Sequence, residues 1–332
     1  MSNLNKEGTG KRALGLFGGG LDSRLAFRMM REHGTRVEGV HFDTGFVRPT
    51  HRDQAIAARD RGEVEIVDVA QRYVNEVVAA PRHGYGSGMN PCRDCRAFML
   101  ARAAEIAGEK GIGLLFTGDV IGQRAHDQSH AAFTLVDRDA GVEGRVLRPL
   151  SARHLESVEH EGPLGEFQGR SRRDQLALAR EWNETGFPTP SGRCCRLADP
   201  AIARRVRDWL EHCRPGAADA GEIPALFAGR HFRLGWDLKV VLSRNAADAR
   251  LLEQSMPAGR GRARPVEEGG PEAWIESGEL DDAAVADIAG LVASYTPAAR
   301  SAEVDIAIET AGRERVVRSG PASAESVARW RL

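Results

Sequence analysis

Arg12–Phe17 (RALGLF) runs directly into Gly18-Gly19-Gly20-Leu21-Asp22-Ser23, and this junction decides the fold. An apolar run of strand length is closed by three glycines. Leu21, Leu25, Met29 and Met30 then recur at helical spacing across Leu21–His33. Glycine lets a backbone come close to an anion, and a helix N-terminus offers unpaired N–H groups and a favourable dipole for phosphate. The plainer alternative is a glycine-rich turn in which Asp22 or Ser23 caps the helix. Strand-like patterns return at Arg36–Phe42 (RVEGVHF), at Glu63–Val69 (EVEIVDV) and at Ile112–Phe116 (IGLLF), the last preceded by a helical stretch at Ala97–Glu109. Strands separated by helices imply βαβ units, so the expected fold is α/β with a doubly wound parallel sheet.

At 332 residues the chain is long for one core. After Arg148-Pro149 helical segments dominate, at Arg172–Glu184 and Pro200–His212, with the Pro- and Gly-rich stretch Phe187–Gly192 between them. Arg214–Gly221 (RPGAADAG) reads as a linker. The expected domains are therefore 11–214 and a smaller α/β domain at 222–332. The latter should hold a hairpin from His231–Leu234 and Leu238–Leu242, a helix at Asp281–Tyr295 and a strand at Ala302–Ile308. A net charge of -1 with 28% charged residues excludes a uniformly basic coat and an acidic disordered chain. No apolar run approaches the ~20 residues that span a bilayer, and the polar start lacks a secretory core. A cytoplasmic protein without a membrane partner is expected.

The chemistry concentrates at a few places. His41-Phe42-Asp43-Thr44-Gly45 follows the second strand, at the carboxyl edge where doubly wound sheets bind ligands, and Asp43 is a candidate for holding adenosine or for capping the next helix. Thr117-Gly118-Asp119 and Gln123, with Gln128 beyond, follow the fourth strand at the same edge. Asp119 suits magnesium or an attacking group; capping is its bland alternative. The five cysteines are too few for a disulfide scaffold. Cys92 and Cys95 form a C-x-x-C entering a helix, Cys194 and Cys195 are adjacent, and Cys213 stands alone as a buried thiol. Such clusters suit zinc or an iron–sulfur centre, redox chemistry, or two buried thiols. Arginine outnumbers lysine heavily, with only four lysines among 46 basic residues. The stretch Gly169-Arg170-Ser171-Arg172-Arg173, and further arginines at 193–214 and 230–264, form basic runs suited to phosphate or to a solvated face.

The glycine loop resembles the PP-loop, S-G-G-x-D-S, of the adenine nucleotide α-hydrolase-like ATP pyrophosphatases, with Gly18 in place of Ser. Taken with N-P-C-R-D-C at 90–95, T-G-D-V-I-G-Q-R at 117–124, G-R-S-R-R at 169–173 and C-R-L-A-D-P at 195–200, residues 12–213 resemble the PP-loop RNA thiolation enzymes, especially the catalytic half of 4-thiouridine synthetases. On this reading the THUMP-containing region of the long members is expected to be absent ahead of the loop. Gly229–Leu234 (GRHFRL) and Val241–Asn245 (VLSRN) resemble the small RNA-binding domain of NFACT proteins.

The resemblance implies an ATP-dependent sulfurtransferase that adenylates a uridine carbonyl in tRNA and replaces its oxygen with sulfur. It implies ATP at Gly18, Gly19, Gly20, Asp22, Ser23, Asp43, Thr117, Gly118 and Gln123, with Mg2+ as counter-ion. Asp22, Asp119 and Cys195 would be catalytic. A 4Fe-4S cluster would sit on Cys92, Cys95 and Cys195, with Cys194 as a fourth ligand in an alternative arrangement. tRNA would be held by Arg170, Arg172, Arg173, Arg230 and Arg233. A sulfur donor, sulfide or a persulfide-carrying protein, is a further implied partner, and a homodimer is compatible with this reading. The competing expectations are an adenylyl-sulfate or phosphoadenylyl-sulfate reductase, thiolation of a free nucleobase, and a non-catalytic RNA-binding protein.

Overall fold

The computed structural model describes residues 11–124, 126–155, 165–188, 194–214, 216–256, 260–267, 269–277, 280–300 and 302–332. Most of the expected Pro- and Gly-rich break at 187–192 lies outside them. Two compact units divide after Ala198.

The first unit is a five-stranded parallel sheet. Its strands are β1 (Arg12–Leu16), β2 (Arg36–Asp43), β3 (Val64–Asp68), β4 (Leu114–Phe116) and β5 (Val146–Leu147), in the order β3-β2-β1-β4-β5. Its helices are α1 (Leu21–Glu32), α2 (Pro49–Asp60), the short α3 (Ala70–Tyr73), α4 (Cys92–Glu109), α5 (His130–Asp139) and α6 (Arg173–Glu181). The apolar face of α1 (Leu21, Leu25, Met29 and Met30) is buried against the sheet. Phe27 anchors it, with ring centroids 5.2 Å from Phe17 and 4.9 Å from Phe116. The strand order reverses between β1 and β4, so the loops after these two strands diverge and leave a crevice. Gly118 brings them together: a Cβ there would lie 2.6 Å from the Asp22 carbonyl carbon and the Ser23 nitrogen.

The second unit is an antiparallel sheet. Its elements are α7 (Pro200–His212), α8 (Ile223–Phe227), β6 (Arg230–Gly235), β7 (Leu238–Leu242), α9 (Ala246–Ser255), β8 (Gly261–Pro265), β9 (Ala273–Glu276), α10 (Asp282–Ala293), β10 (Val304–Thr310), β11 (Arg313–Ser319) and α11 (Ala324–Trp330). The sheet order is β11-β10-β8-β9-β7-β6. Val285, Ile288, Ala289 and Val292 of α10 pack on Phe232, Ile275 and Ile306 of the sheet. Leu252 of α9 and Met256 just after it pack on Val241 and Trp274.

Helix α7, expected to close the first domain, belongs to the second unit. Asp199 caps it, accepting from the amides of Ala201 (2.9 Å) and Ile202 (3.2 Å), and Pro200 occupies its first turn. Its Asp208 is paired with Arg233 at 2.8 Å and with Lys239 at 3.1 Å, and the Trp209 ring nitrogen donates to Glu222 at 2.6 Å. Among the described residues no helix is long and apolar enough to cross a membrane.

Candidate functional site

A cavity of about 250 Å3 opens at the carboxyl edge of the parallel sheet. Gly18 and Gly20 from the loop after β1, Thr117 and Asp119 from the loop after β4, and His41 from the end of β2 all line it.

The three glycines do different work. Gly19 has φ +73°, and a Cβ on it would come within 2.3 Å of the His51 carbonyl oxygen, so glycine is required there by packing alone. Gly20 is extended (φ -88°, ψ 171°) and its nearest neighbour to a Cβ would be His51 Nε2 at 3.7 Å. Gly18 has nothing within 4 Å of an added Cβ, so a serine fits there. Ser23 is buried, and its hydroxyl is spent within the loop, donating to the Gly20 carbonyl at 2.8 Å.

Asp22 lies in the first turn of α1. Its Oδ2 accepts from Gln123 Nε2 and from Arg172, each at 3.1 Å, while Oδ1 is buried without a partner. Burial pushes its pKa up, against the opposing pull of Arg172 and Gln123 and with some help from the Asp119 charge. Asp119 has the opposite balance. Burial disfavours its charge, but Arg96 and Arg148 outweigh that and hold its carboxyl below the ordinary value. Its oxygens accept from Thr117 (2.9 Å) and Gln128 (3.0 Å), and Arg96 lies 3.1 Å away. Arg96 also pairs with Asp127 at 2.7 Å, and the two acids keep it protonated against the cost of its burial.

His41 Nδ1 lies 2.7 Å from the Phe17 carbonyl oxygen, to which it donates. The other ring nitrogen, Nε2, is therefore an acceptor; it is buried and unpartnered, and burial depresses the imidazole's pKa. Sequence reasoning assigned this histidine no role, although it stood at the edge where ligands bind. Arg96, the cation between two acids, was also missed; its only signal was its place beside Cys95.

Four thiols line the same cavity: Cys92 and Cys95 in the first turn of α4, and Cys194 and Cys195 from a segment a hundred residues later. That segment is held by a short antiparallel contact with the chain following β2. Arg48 donates its amide to the Cys194 carbonyl (3.1 Å), Arg196 donates to Phe46 (2.8 Å), and Val47 bridges Cys195. Burial raises the pKa of Cys92 and pushes Cys95, beside the Tyr73 hydroxyl, up to about 12. Cys195 and Cys194 are hydrogen-bonded to each other. That contact, with Arg124 and Arg96 nearby, draws Cys194 well down, while the same contact and burial push Cys195 well up. Among the described residues no three His, Cys, Asp or Glu side chains converge tightly enough to hold a metal ion. A donor set of soft thiols from two segments around one cavity suits zinc or an iron–sulfur centre, and the irons of the latter occupy separate corners that need no common point. Cys213, at the end of α7, is outside the group.

Other expected site residues lie elsewhere. Asp43 is spent on its own turn, accepting from the Gly45 amide (3.0 Å) and from Arg52 (2.7 Å). Arg172, expected on RNA, faces Asp22 in the cavity, whereas Arg170 and Arg173 are exposed, with Arg173 3.3 Å from Asp174. Arg233 is engaged by Asp208, and Arg230 lies 4.9 Å over the Tyr295 ring.

Residues 8–160 match the family described as thiamine biosynthesis protein (ThiI), and residues 229–331 match the NFACT protein RNA binding domain. No curated protein gave a significant match. A 4-thiouridine synthetase in complex with RNA and bound ATP is similar at 21% identity and a TM-score of 0.35, over 52% of this chain and 50% of that one, so the chain spans about half the length of that structure. The C-terminal part of the fibronectin/fibrinogen-binding protein from Streptococcus suis is similar at 14% identity and a TM-score of 0.29, over 48% of this chain and 72% of that one. A predicted tRNA methyltransferase subunit from Methanocaldococcus jannaschii is similar at 14% identity and a TM-score of 0.33, covering 52% and 76%. The two family matches, at 8–160 and at 229–331, fall on separate parts of the chain.

Proposed function

We propose that this protein is an ATP-dependent tRNA sulfurtransferase that adenylates a uridine carbonyl and then replaces the oxygen with sulfur. One observation carries the reading: the glycine loop, two carboxylates of unlike environment and four thiols line a single cavity. A reaction that both activates an oxygen and delivers sulfur needs both sets within reach of one carbon.

The chemistry follows from these residues. The uracil carbonyl oxygen attacks the α-phosphorus of ATP, the bond to the bridging oxygen breaks, and pyrophosphate leaves. Backbone amides of the glycine loop and the start of α1 would receive the pyrophosphate. The unpartnered Oδ1 of Asp22 fits a hard cation, and magnesium there would supply neutralisation of the phosphate charge. Arg172 and Arg124 offset the remaining charge at the mouth of the loop. His41 Nε2 accepts a hydrogen bond from the nucleotide. Asp119, held ionised by Arg96, orients the groups after β4. A sulfur nucleophile then attacks the activated carbon, the C–O bond breaks, and AMP departs with the former carbonyl oxygen. Cys92, Cys95 and Cys195 would hold a 4Fe-4S cluster, which supplies a site for sulfide. Sulfide is the donor, or a persulfide-carrying protein whose S–S bond an added thiol reduces to release the sulfur; tRNA is the acceptor, and the working form is compatible with a homodimer in the cytoplasm.

The test is direct. Purified protein with unmodified tRNA, ATP and sulfide should release AMP and pyrophosphate and yield a thiolated nucleoside detectable by mass spectrometry. The same nucleoside should disappear from the tRNA of a deletion strain. Production of AMP and sulfite from adenylyl sulfate and a thiol reductant, without tRNA, would favour the reductase instead.

A further inference from the structure

The largest exposed apolar side chain among the described residues is Trp236, 72% exposed at the tip of the β6–β7 hairpin. It does not hang free. One side of the indole lies against the imidazole of His212, with ring centroids 4.6 Å apart and an interplanar angle of 49°. The Arg233 guanidinium donates to the Trp236 carbonyl at 3.2 Å and is itself clamped on Asp208, so the turn that carries the ring is tied to α7. His212 is anchored too, its Nδ1 lying 2.7 Å from the Asp208 carbonyl. A large aromatic ring is thus held by its backbone and by one face, while the rest of its surface is bare. Folding gains little from such a residue, since most of its apolar area stays in water.

Exposed charges of both signs lie on the same two elements. Arg204 and Arg207 of α7, and Arg214 just beyond it, are exposed. Glu211 and Asp237 are the exposed acids on α7 and the hairpin tip, and Asp208 is neutralised by Arg233 and Lys239. Aromatic faces bind bases through stacking that tolerates any sequence, provided the base is unpaired, and arginines beside them receive the phosphates. Resting on the RNA-binding part of the function proposed above, we infer that Trp236, backed by His212, is a stacking platform for an unpaired RNA base, with Arg204, Arg207 and Arg214 as its phosphate contacts. The occupant is a single-stranded segment of RNA, because a duplex keeps its base faces covered.

The test uses the full chain and a single-stranded oligouridylate of twelve residues, with a twelve-base-pair RNA duplex alongside. Oligouridylate should quench tryptophan fluorescence in the wild type. Trp236→Ala should weaken oligouridylate binding roughly five- to a hundredfold without altering the salt slope, since stacking releases no counter-ions. Trp236→Phe should keep most of the affinity, measured by filter binding, while losing the quench. Arg204→Gln and Arg207→Gln should each lower the salt slope by about 0.7. Duplex binding should be insensitive to Trp236. The inference is overturned if Trp236→Ala binds oligouridylate like the wild type, if Trp236→Phe is as weak as Trp236→Ala, or if Trp236→Ala changes only the sedimentation of the protein, which would make a second copy the occupant. A protein that cannot thiolate tRNA yet binds oligouridylate through Trp236 would sink the proposed reaction and support this inference.

Discussion

At the scale of single residues, the glycine loop separates packing from ligand approach, a distinction its sequence conceals. Gly19→Ala forces a side chain into left-handed backbone against the His51 carbonyl, and should cost about 1–3 kcal/mol of stability, read from urea unfolding. Gly20→Ala meets only an ordinary contact, so it should fold with an unchanged midpoint yet bind ATP at least about tenfold more weakly if the amides of the loop receive phosphate. Gly18→Ser should also fold normally, and it should tighten ATP if a hydroxyl at this position reaches pyrophosphate. Asp22 yields a pH prediction. Burial raises its pKa, so the folded state binds that proton more firmly than the unfolded chain. Stability is then highest below the ordinary aspartate value and falls as pH rises through the folded one. Asp22→Asn should therefore raise the melting temperature at pH 7 and lose that advantage near pH 3, while abolishing tRNA-dependent AMP release. A melting temperature lowered at pH 7 would contradict this account of the site.

At the scale of elements, α7 is fastened to β6 and β7 by a buried charge cluster. Asp208 and Lys239 are 6% and 3% exposed in their side chains, and Arg233 completes the group. Burial opposes the Asp208 charge, but Arg233 and Lys239 hold its pKa below the ordinary value. Its contribution is present above that ordinary value and disappears as pH falls through the depressed one. Asp208→Asn leaves a buried lysine without its counter-ion and should cost about 3 kcal/mol at neutral pH, with the difference from wild type shrinking in acid. Elements differed in how plainly the sequence announced them. β1 to β4 show apolar runs or alternation because they are central or face helices on both sides. Helix α2 was missed because it buries only Ala55 and Ala58, too little for a visible stripe. β8 (GRARP) and β11 (RERVVRS) were missed because an arginine-rich strand and a charged edge strand lack the expected apolar alternation. The lining of the cavity was legible wherever a residue type carried its own chemistry: Gly18, Gly20, Asp22, Asp119 and the C-x-x-C. The pairing of Arg172 with Asp22 was not legible because the two are 150 residues apart, and only the tertiary fold reveals it.

At the scale of the whole molecule, the division after Ala198 has a consequence for fragments. A fragment beginning at Asp199 retains the cap of α7 and the charge cluster, and should unfold cooperatively. One beginning at residue 222 buries Lys239 without Asp208, and should be less stable by a few kcal/mol, or fail to fold. If the two fragments are equally stable in urea, α7 is dispensable to that unit. For the first unit, anaerobically purified protein should carry about four irons if the thiols hold a 4Fe-4S centre. Exchange of Cys92, Cys95 or Cys195 for alanine should remove sulfur transfer and spare adenylation, and Cys194→Ala should spare both unless it is a fourth ligand. Residues 46–51 connect these two chemistries. One end of that span pairs with Cys194 and Arg196, and the other presses the His51 carbonyl against Gly19. Surface loops usually accept insertions and deletions freely. Here a single residue added between Phe46 and Pro49, where α2 begins, would push either the thiol segment or the glycine turn out of register, so the length of this connection constrains the site more than its composition does.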